Sequence, residues 1–502
     1  MNAPRNGKMT VADLRRDIIG IDSEVELLDG SQVRYVFLDN AASTPTLRSV
    51  MNCIEDFMPW YSAVHRGTGV KAAVASQLWD ASHRIVAEFV GADPATNCVA
   101  MVKNTTEAIN KLAYRMRFRK GDIVLTTAME HHSDDLPWRR HAEVLHVPVD
   151  EQGNLSLDAL RKTLKSHKSK IKMVAVNGAS NITGICNPIH DIAKWAHEAG
   201  AKIFVDAAQL APHRKIDILP DDDPSHIDFI AFSAHKMYAP FGTGVLIGPK
   251  AFFAQGEPDM IGGGVVTVVT LDGIEWTNPP HKEEAGSPNV VGAIALAKAI
   301  SVLQEVGLDA IAAHERELMT YTYDRIRSMK KLRFYGPTKD FSNKVGVVTF
   351  TIDGMDHALV SAIFGMEGGI GLRNGCFCAH PYVKHLLKIS EAEDRKTTKE
   401  ILAGNKSHMP GMVRASYGCY NNEEDVDRFV EMLNRIVRGE YRGKYVQSSS
   451  SGIFTPQGYV MDAAKYFSFS RNGSAAKTPQ KLVAGNGKTK NGSRKSKKHA
   501  VR

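Results

Sequence analysis

The chain has 502 residues, of which 43% are hydrophobic and 24% are charged, a balance typical of a folded globular protein. No apolar run approaches the roughly 18 residues that a membrane-spanning helix requires, and the first residues lack the apolar centre of a secretion signal. The six cysteines are irregularly spaced, which is not the pattern of a disulfide framework. We therefore expect a soluble, cytoplasmic protein that binds no membrane.

The net charge of +8 is unevenly distributed along the chain. Residues Arg471–Arg502 contain ten Lys or Arg and no acidic residue, so the remaining residues carry about −2 in total. We expect this basic, Gly- and Ser-rich segment to be disordered. The charge of this segment predicts at most a weak, salt-sensitive attraction to polyanions such as nucleic acids. A tail that only increases solubility explains the same composition equally well.

In chain order, residues 1–34 have the pattern of an arm with one amphipathic helix, and residues 35–299 alternate short β-rich segments with helical patterns. Strands alternating with helices predict an α/β domain with a mainly parallel sheet covered by helices on both faces. The predicted strands are Asn97–Val102, Asp122–Thr126, Lys172–Val176, Lys202–Asp206, Phe229–Phe232 and Gly244–Ile247. The predicted helices include Thr106–Arg117, Leu157–Lys165 and Ile189–Ala199.

Residues 300–445 are predicted to form a second, smaller α+β domain, with β-type segments at Val345–Thr351 and Met412–Ser416. Within this domain, residues 391–410 combine charged side chains with a short run of small polar ones, which predicts an exposed insertion. Residues 446–502 are predicted to be an extension, and the basic segment from Arg471 is its last part.

Two residues at predicted strand ends give the first indication of chemistry. Asp206 closes one apolar strand, and Lys236 follows shortly after another. Ligands of α/β sheets bind at the carboxyl ends of strands. A cofactor held as a Schiff base needs a lysine and an acid that keeps its ring nitrogen protonated. Considered alone, Asp206 is more simply interpreted as a helix-capping residue and Lys236 as a surface lysine.

Many other short segments accompany this pair in a fixed order. They are Leu38–Ser43, Ala63–Gly67, Asn104–Glu107, Met129–His132, Asn181–Gly184, Asp206–Gln209, Ser233–Lys236, Gly262–Gly264, Glu284–Asn289, Arg373–Pro381 and Arg414–Ser416. In these segments the chain resembles the class V aminotransferase-like group of pyridoxal-phosphate (PLP) enzymes, most closely the group II, Suf-type cysteine desulfurases and selenocysteine lyases. The resemblance runs from about Leu38 to Ile436 and implies PLP fold type I.

The resemblance also implies roles for individual residues around PLP. Lys236 would hold the cofactor as a Schiff base, Asp206 would hold the pyridinium proton, and His131 would stack on the pyridine ring. Asn181 and Gln209 would bond the ring oxygen or the substrate. The implied phosphate ligands are Thr106, Ser233, His235 and, reaching across the interface of a homodimer, Ser287.

On the substrate side, Arg414 matches the arginine that binds the substrate carboxylate. A guanidinium group suits this role because its planar donors meet both oxygens, although an interdomain salt bridge is the structural alternative. Arg373 and Arg66 are further candidates for the same basic entrance. Thr106 opens a predicted helix, so it could be a helix N-cap as well as a phosphate ligand.

The segment Glu130–Asp135, which contains adjacent histidines and acids, could instead indicate a metal site. Neighbouring residues at a strand end point in different directions, and no second group of ligands stands out in the sequence. We therefore expect no metal.

The segment Cys376–Cys378 departs from the Suf-type pattern, which usually has two histidines where this chain has Cys376 and Phe377. A Cys-Phe-Cys segment resembles the corresponding part of molybdenum-cofactor sulfurases, which also mobilise sulfur. Cys378, followed by Ala-His-Pro, matches the sulfur-accepting cysteine. Residues two apart lie on the same side of an extended strand, so a swap or relay between Cys376 and Cys378 stays open.

Together these assignments favour desulfuration of L-cysteine to L-alanine, with the sulfur held on Cys378 as a persulfide for a possible acceptor protein. The alternative is another class V activity that does not use Cys378, namely transamination, epimerisation or C–S lyase chemistry. A non-catalytic interaction protein is less favoured because the chain retains Lys236, Asp206, His131 and Arg414.

Overall fold

The computed structural model describes residues 9–469, and the chain divides into two units between Pro456 and Gln457. The predictions of disorder and polyanion binding from Arg471 onward lie outside the described residues. Within residues 9–469, no single helix is long and apolar enough to cross a membrane. One helix pair, Val290–Val306 and Leu308–Ile326, reaches that length and apolarity only jointly, with a 74° bend between its members.

The elements of regular structure follow in chain order. The strands are β1 (Glu24–Glu26), β2 (Gln32–Arg34), β3 (Val36–Phe37), β4 (Asn97–Val102), β5 (Ile123–Thr127), β6 (Glu143–Val147), β7 (Ile171–Asn177), β8 (Lys202–Asp206), β9 (Phe229–Ser233), β10 (Gly244–Pro249), β11 (Val266–Val269), β12 (Ile274–Trp276), β13 (Leu332–Tyr335), β14 (Val347–Ile352), β15 (Ile370–Gly371), β16 (Arg373–Gly375), β17 (Met412–Ser416), β18 (Tyr445–Gln447) and β19 (Phe454–Pro456). The α-helices are α1 (Val11–Asp17), α2 (Arg48–Phe57), α3 (Val70–Phe89), α4 (Thr105–Arg115), α5 (Leu136–His141), α6 (Leu157–Ser166), α7 (Ile189–Glu198), α8 (Lys250–Ala254), α9 (Val290–Val306), α10 (Leu308–Ile326), α11 (His357–Gly368), α12 (His380–Leu386), α13 (Glu391–Leu402) and α14 (Glu423–Arg438). Short 3-10 helices are Met58–Trp60, His132–Asp134, Ala234–Lys236, His281–Glu283 and Ala463–Lys465.

A seven-stranded sheet forms the centre of the large domain, in the order β4-β10-β9-β8-β7-β5-β6. Its strands are parallel except β10, which runs antiparallel to both of its neighbours, β4 and β9. Successive residues of β8 belong to different hydrophobic cores: Ile203 and Val205 to one, Phe204 to the other. A strand buried on both faces explains the continuous apolar runs in the sequence. The predicted α/β architecture with a mainly parallel, helix-covered sheet is confirmed.

The second sheet is antiparallel, with the order β13-β14-β17-β16, and its core is built with α10, α11 and α14. Helix α13, in the predicted insertion, has no buried residue. The hairpin β18–β19 lies within the first compact unit, where Tyr445 Oη donates a hydrogen bond to Glu367 Oε1 over 3.1 Å. The compact unit therefore continues to Pro456, beyond the predicted boundary at residue 446.

Three neighbouring strands of the large sheet end at one edge. Asn177 closes β7 directly opposite Asp206 of β8, and Ser233 closes β9 two residues beyond the partner of Asp206. The 3-10 turn that follows β9 carries Lys236. Because the carboxyl ends of parallel strands share one edge, the parallel topology places these polar residues together.

Candidate active site

A cavity of about 220 Å³ lies at this carboxyl edge. It brings together the sequence-predicted site residues other than Ser287 and the further candidate Arg66; those lining it are Thr106, His131, Asn181, Asp206, Gln209, Ser233, His235, Lys236, Arg373, Cys378 and Arg414. Residues that were given no role from the sequence also line it, namely Ala41, Ala42, Asn104, Thr105, Ser133, Asn177, Ala179, Ala208 and Phe377. The cavity therefore joins strand ends of the large sheet with two strands of the small one.

Lys236 and Asp206 face the same cavity with complementary charges. Burial lowers the pKa of Lys236 to about 8, although the nearby Asp206 carboxylate favours the protonated amine. Asp206 is only 6% exposed, and its burial raises its pKa, a shift opposed by the N–H of Ala208, which donates to Oδ1 over 2.9 Å, and by the charge of Lys236. The lysine is thus an amine that loses its proton around pH 8, well below the ordinary lysine range, and it shares the cavity with a buried acid.

His131 presents a neutral imidazole to the cavity. The backbone N–H of Ser133 donates to His131 Nδ1 over 3.1 Å, so the ring proton must lie on Nε2. Burial, followed by the charge of Lys236, lowers the His131 pKa to about 3. A neutral aromatic ring of this kind can stack on another flat ring without adding charge to it.

The N-terminus of α4 opens onto the cavity. Asn104 is its N-cap, because its side chain accepts a hydrogen bond from the Glu107 N–H over 3.0 Å. The alternative role of Thr106 as N-cap is therefore wrong. Thr106 instead lies within the first turn, exposed, and its hydroxyl bonds the hydroxyl of Ser133 over 2.7 Å.

The hydroxyl of Ser233 fixes this helix end to the sheet. It accepts from the Thr105 N–H over 2.8 Å and bonds the Thr105 hydroxyl over 2.7 Å. His235 follows two residues later, and burial, with a contribution from the charge of Lys236, lowers its pKa to about 4. Hydroxyls around a helix N-terminus form a site suited to a phosphate group.

Two amides of the cavity are oriented by backbone carbonyls. Asn181 Nδ2 donates to the carbonyl of Phe377 over 2.8 Å, and Gln209 Nε2 donates to the carbonyl of Ala41. Each amide therefore keeps its oxygen and one further N–H for a ligand. These remaining donors and acceptors suit the contacts to the ring oxygen or the substrate that were predicted for Asn181 and Gln209.

Arg414 is 1% exposed and is held on three sides. Its Nη2 donates to Asp39 Oδ1 over 2.9 Å, its Nη1 donates to the carbonyl of Asn181 over 3.0 Å, and its guanidinium carbon lies 4.9 Å from the ring centroid of Phe377. Arg373 Nε also donates to Asp39, over 3.0 Å. The interdomain salt bridge, the structural alternative for Arg414, is thus present at the cavity itself.

Asp39 was given no role from the sequence, although it lies in the matched segment Leu38–Ser43. The match of that segment could have drawn attention to Asp39, because it is the acidic residue of the segment and could pair with the arginines of the predicted basic entrance. Its backbone forms a bridge with Ser416, the last residue of β17, the strand that also carries Arg414. The pairing depends on this contact between distant parts of the chain.

Cys376 and Cys378 occupy different environments. Cys376 is buried, its thiol donates to the carbonyl of Pro410 over 2.9 Å, and burial raises its pKa to about 11. Cys378 is exposed and lines the cavity. Phe377 and Cys378 have φ values of 47° and 56°, in the left-handed region, so the backbone turns here. The segment is therefore a turn and not an extended strand, so strand geometry does not place the two thiols on one side.

Ser287 and Arg66 lie apart from the Lys236 cavity within this chain. Both line a second cavity of about 620 Å³, together with His65 and the glycines Gly263 and Gly264. The predicted contribution of Ser287 to a partner's phosphate site stays a prediction.

The carboxyl groups of Glu130–Asp135 have partners within the protein. Asn177 Nδ2 donates to Glu130 over 2.9 Å, Trp138 Nε1 donates to Asp134 over 2.9 Å, and Arg139 pairs with Asp135 over 2.6 Å. The rings of His131 and His132 are 6.4 Å apart between centroids. This segment therefore supports the cavity wall rather than gathering its side chains around one point.

The class V aminotransferase family model matches residues 36–429, so the chain belongs to the class V aminotransferase family. A probable cysteine desulfurase of Halobacterium salinarum is 34% identical over 443 residues, covering 86% of this chain and 98% of the relative. A cysteine desulfurase of Cronobacter sakazakii is 35% identical over 440 residues, covering 86% and 98% respectively. The family predicted from the sequence is confirmed.

Solved structures agree with this assignment. An apo cysteine desulfurase from Thermococcus onnurineus NA1 matches with a TM-score of 0.74 and 32% identity, covering 85% of this chain and 98% of that one. An Escherichia coli cysteine desulfurase in an S-sulfonic acid form matches with a TM-score of 0.71 and 28% identity, covering 86% and 100%. The predicted PLP fold type I is likewise confirmed.

The family implies PLP, and the side chains of the cavity fit that cofactor. Asp206 is a buried acid able to hold a ring N–H, and Lys236 is an amine with a lowered pKa. The N-terminus of α4 with Ser233 and Thr106 offers donors for a phosphate. The ring nitrogen, the aldehyde and the phosphate of the cofactor thus each have a counterpart among the lining residues.

Proposed function

We propose that this protein is a PLP-dependent cysteine desulfurase that converts L-cysteine to L-alanine and holds the released sulfur on Cys378. The observation that carries the proposal is the exposure of Cys378 at the same cavity as Lys236 and Asp206. The activity predicted from the sequence agrees with the names of the relatives, over nearly their full length.

In this proposal PLP, held by Lys236, Asp206, His131 and the α4 N-terminus, supplies an electron sink for bonds to the substrate's carbon atoms. Arg414 orients the substrate through its carboxylate, with Arg373 at the entrance. Lys236 Nζ, with its lowered pKa, moves protons at the substrate's carbon atoms.

The sulfur transfer balances without an added oxidant. The Cβ–S bond of cysteine breaks, a bond forms between that sulfur and Cys378 Sγ, and the carbon gains a proton, so the products are alanine and a persulfide. Thiolates are the attacking form of cysteine, and Arg373 and Arg414 line the same cavity as Cys378. Reduction by a thiol or transfer to an acceptor protein would then return Cys378 to its starting state.

The proposal includes a homodimer and a cytoplasmic location. Ser287 and Arg66 line a cavity of their own, which suits side chains that act across a subunit boundary. All six cysteines, which lie within the described residues, are free thiols, as suits a reducing compartment. Light scattering showing a fully active monomer would contradict the shared site.

Product analysis tests the activity directly. The holoenzyme incubated with L-cysteine and a reducing thiol should release alanine and sulfide in equal amounts. Pyruvate with ammonia would indicate a C–S lyase, a keto acid without sulfide an aminotransferase, and D-cysteine an epimerase. A protein that binds no PLP and turns over none of a panel of amino acids would instead be a non-catalytic interaction protein.

A further inference from the structure

A second group of reactive side chains lies at the other end of β9 from Lys236. It consists of His197 at the end of α7, and of His226 and Asp228 just before β9 begins. One ligand atom from each of the three residues lies within 4.8 Å of the others. Because Asp228 precedes β9 and Lys236 follows it, the length of this strand separates the group from the cavity.

The backbone fixes the proton positions of these histidines. The carbonyls of Asp223 and Pro224 accept hydrogen bonds from Nδ1 of His226 and His197, over 2.7 Å and 2.8 Å. A carbonyl cannot donate a hydrogen bond, so each Nδ1 must carry the proton. In a neutral ring, each Nε2 then has a free lone pair, the arrangement that metal-ligating histidines adopt when an outer carbonyl holds the other nitrogen.

Both free nitrogens face the carboxylate of Asp228. His197 Nε2 lies 2.9 Å from Oδ2, and His226 Nε2 lies 3.8 Å from Oδ1. The two imidazole rings are stacked, with centroids 4.3 Å apart. Lone pairs aimed at a carboxylate repel it unless a proton or a cation lies between them. Protonating both stacked rings would place two like charges in contact.

We propose that His197 Nε2, His226 Nε2 and the Asp228 carboxylate bind one divalent transition-metal ion of the zinc class. Ligand atoms around a tetrahedral zinc ion with bonds of about 2.0–2.1 Å are about 3.3 Å apart, between the two nitrogen–oxygen distances found here. Two imidazoles and a carboxylate suit zinc better than calcium or magnesium. The histidine side chains are 19% and 18% exposed, so water completes the coordination.

The surroundings of Asp228 both support and oppose the ion. The Ile203 N–H donates to Oδ2 over 2.9 Å and orients the carboxylate. Lys202 Nζ lies 2.6 Å from Oδ1, and its positive charge competes with a metal. The Lys202 side chain is 43% exposed, so it can move into solvent when the ion binds.

The site would connect α7 to the loop before β9, and it lies away from the Lys236 cavity. We therefore assign the bound ion a structural role. The site departs from the expectation that the protein holds no metal. That expectation considered adjacent residues in Glu130–Asp135, whereas His197 and His226 come from separate segments that only the fold joins.

Zinc titration of the full-length holoenzyme by calorimetry tests the proposal. Because active-site thiols also bind zinc, each protein is measured in a Cys376→Ser/Cys378→Ser background. We expect about one zinc ion per chain. The zinc affinity of the His197→Gln/His226→Gln variant should fall by more than roughly 10- to 100-fold, which is the loss expected when only an outer-shell partner of a metal ligand is removed. Zinc should also raise the melting temperature of the parent background but not that of this variant.

His190→Gln is the matched control, because His190 Nδ1 bonds the next carbonyl of the same loop, Ser225, over 3.0 Å but its ring is outside the cluster. It should bind zinc as the parent does. Lys202→Gln removes the competing charge and should bind zinc several-fold more tightly. If the double variant fails to fold, His226→Gln alone provides the measurement.

The absence of zinc binding in the parent background would overturn the proposal and leave the cluster as a protonated ion pair. Equal zinc affinity in the parent and the histidine variant would overturn it as well. Both readouts are independent of cysteine turnover.

Discussion

Arg414 Nη2 donates to Asp39 Oδ1 over 2.9 Å, so the guanidinium group predicted to receive a substrate carboxylate already holds one from the protein. Asp39 also accepts from Arg373. Under the proposed function, a substrate anion would have to share or displace Asp39. We therefore predict that Asp39 influences substrate affinity.

Asp39→Asn should lower the KM for L-cysteine by roughly fivefold, about 1 kcal/mol, with little change in kcat. The amide oxygen still accepts from Arg414, but the competing negative charge is gone. Arg414→Lys should instead raise KM by about 10- to 100-fold, because charged hydrogen bonds of about 1.5–3 kcal/mol are lost. Steady-state kinetics of the two variants provide the measurement. A rise in KM for Asp39→Asn as large as that for Arg414→Lys would mean that Asp39 positions the arginine and does not compete with substrate.

Cys378→Ser should abolish alanine release and persulfide formation, while PLP absorbance is retained. Cys376→Ser should keep substantial activity, because its buried thiol is bonded to Pro410 and its raised pKa keeps it protonated. Alanine assays and mass spectrometry of the trapped persulfide distinguish the two thiols. Normal cysteine turnover by Cys378→Ser would exclude the desulfurase mechanism and favour a lyase or aminotransferase.

Borohydride reduction of the holoenzyme should fix a pyridoxyl group on Lys236, as peptide mapping would show. In the cofactor-free enzyme, the rate of PLP capture should rise with pH around a midpoint near 8, because only the neutral amine reacts and burial lowers the Lys236 pKa to about 8. Asp206 favours the protonated amine, so Asp206→Asn should move that midpoint to lower pH. A midpoint near the ordinary lysine value in both proteins, or a label on another lysine, would contradict the assignment.

Ser233→Ala and Thr106→Val should separate stability from cofactor binding. Ser233 is 2% exposed and makes two hydrogen bonds to Thr105, so its loss should cost the cofactor-free protein about 1–3 kcal/mol in free energy of unfolding. Thr106 is exposed and should change that free energy by no more than about 0.5 kcal/mol. Both variants should bind PLP more weakly. Urea unfolding and PLP titration measure the two effects, and unchanged PLP affinity in both would place the phosphate elsewhere.

Removal of the residues from Arg471 onward should leave cysteine turnover unchanged and should weaken retention on immobilised RNA or DNA at low salt. The physical reason is that the positive net charge of the chain resides in this segment. Equal retention of the full-length and shortened proteins would leave the segment with a solvating role only.

The sequence by itself determined the class of fold and the main chemical groups of the site. Apolar runs separated by helical patterns predicted the parallel sheet, because strands buried on both faces must be apolar throughout. Asp206 closes one such run and Lys236 follows shortly after another, so local order along the chain already places both near strand ends. The resemblance of the matched segments to a known family supplied the other predicted cavity residues.

Only the tertiary structure decided what depends on contacts between distant segments or on backbone angles. The place of β10 between β9 and β4 depends on its pairing with β4, a strand far earlier in the chain. Asp39 meets Arg414 through the bridge between their segments. Cys376 and Cys378 separate into buried and exposed thiols because positive φ angles turn the backbone between them. The residue types determine which hydrogen bonds and ion pairs are possible, but the burial of the side chains and the distances between them in the folded chain decide which of these form.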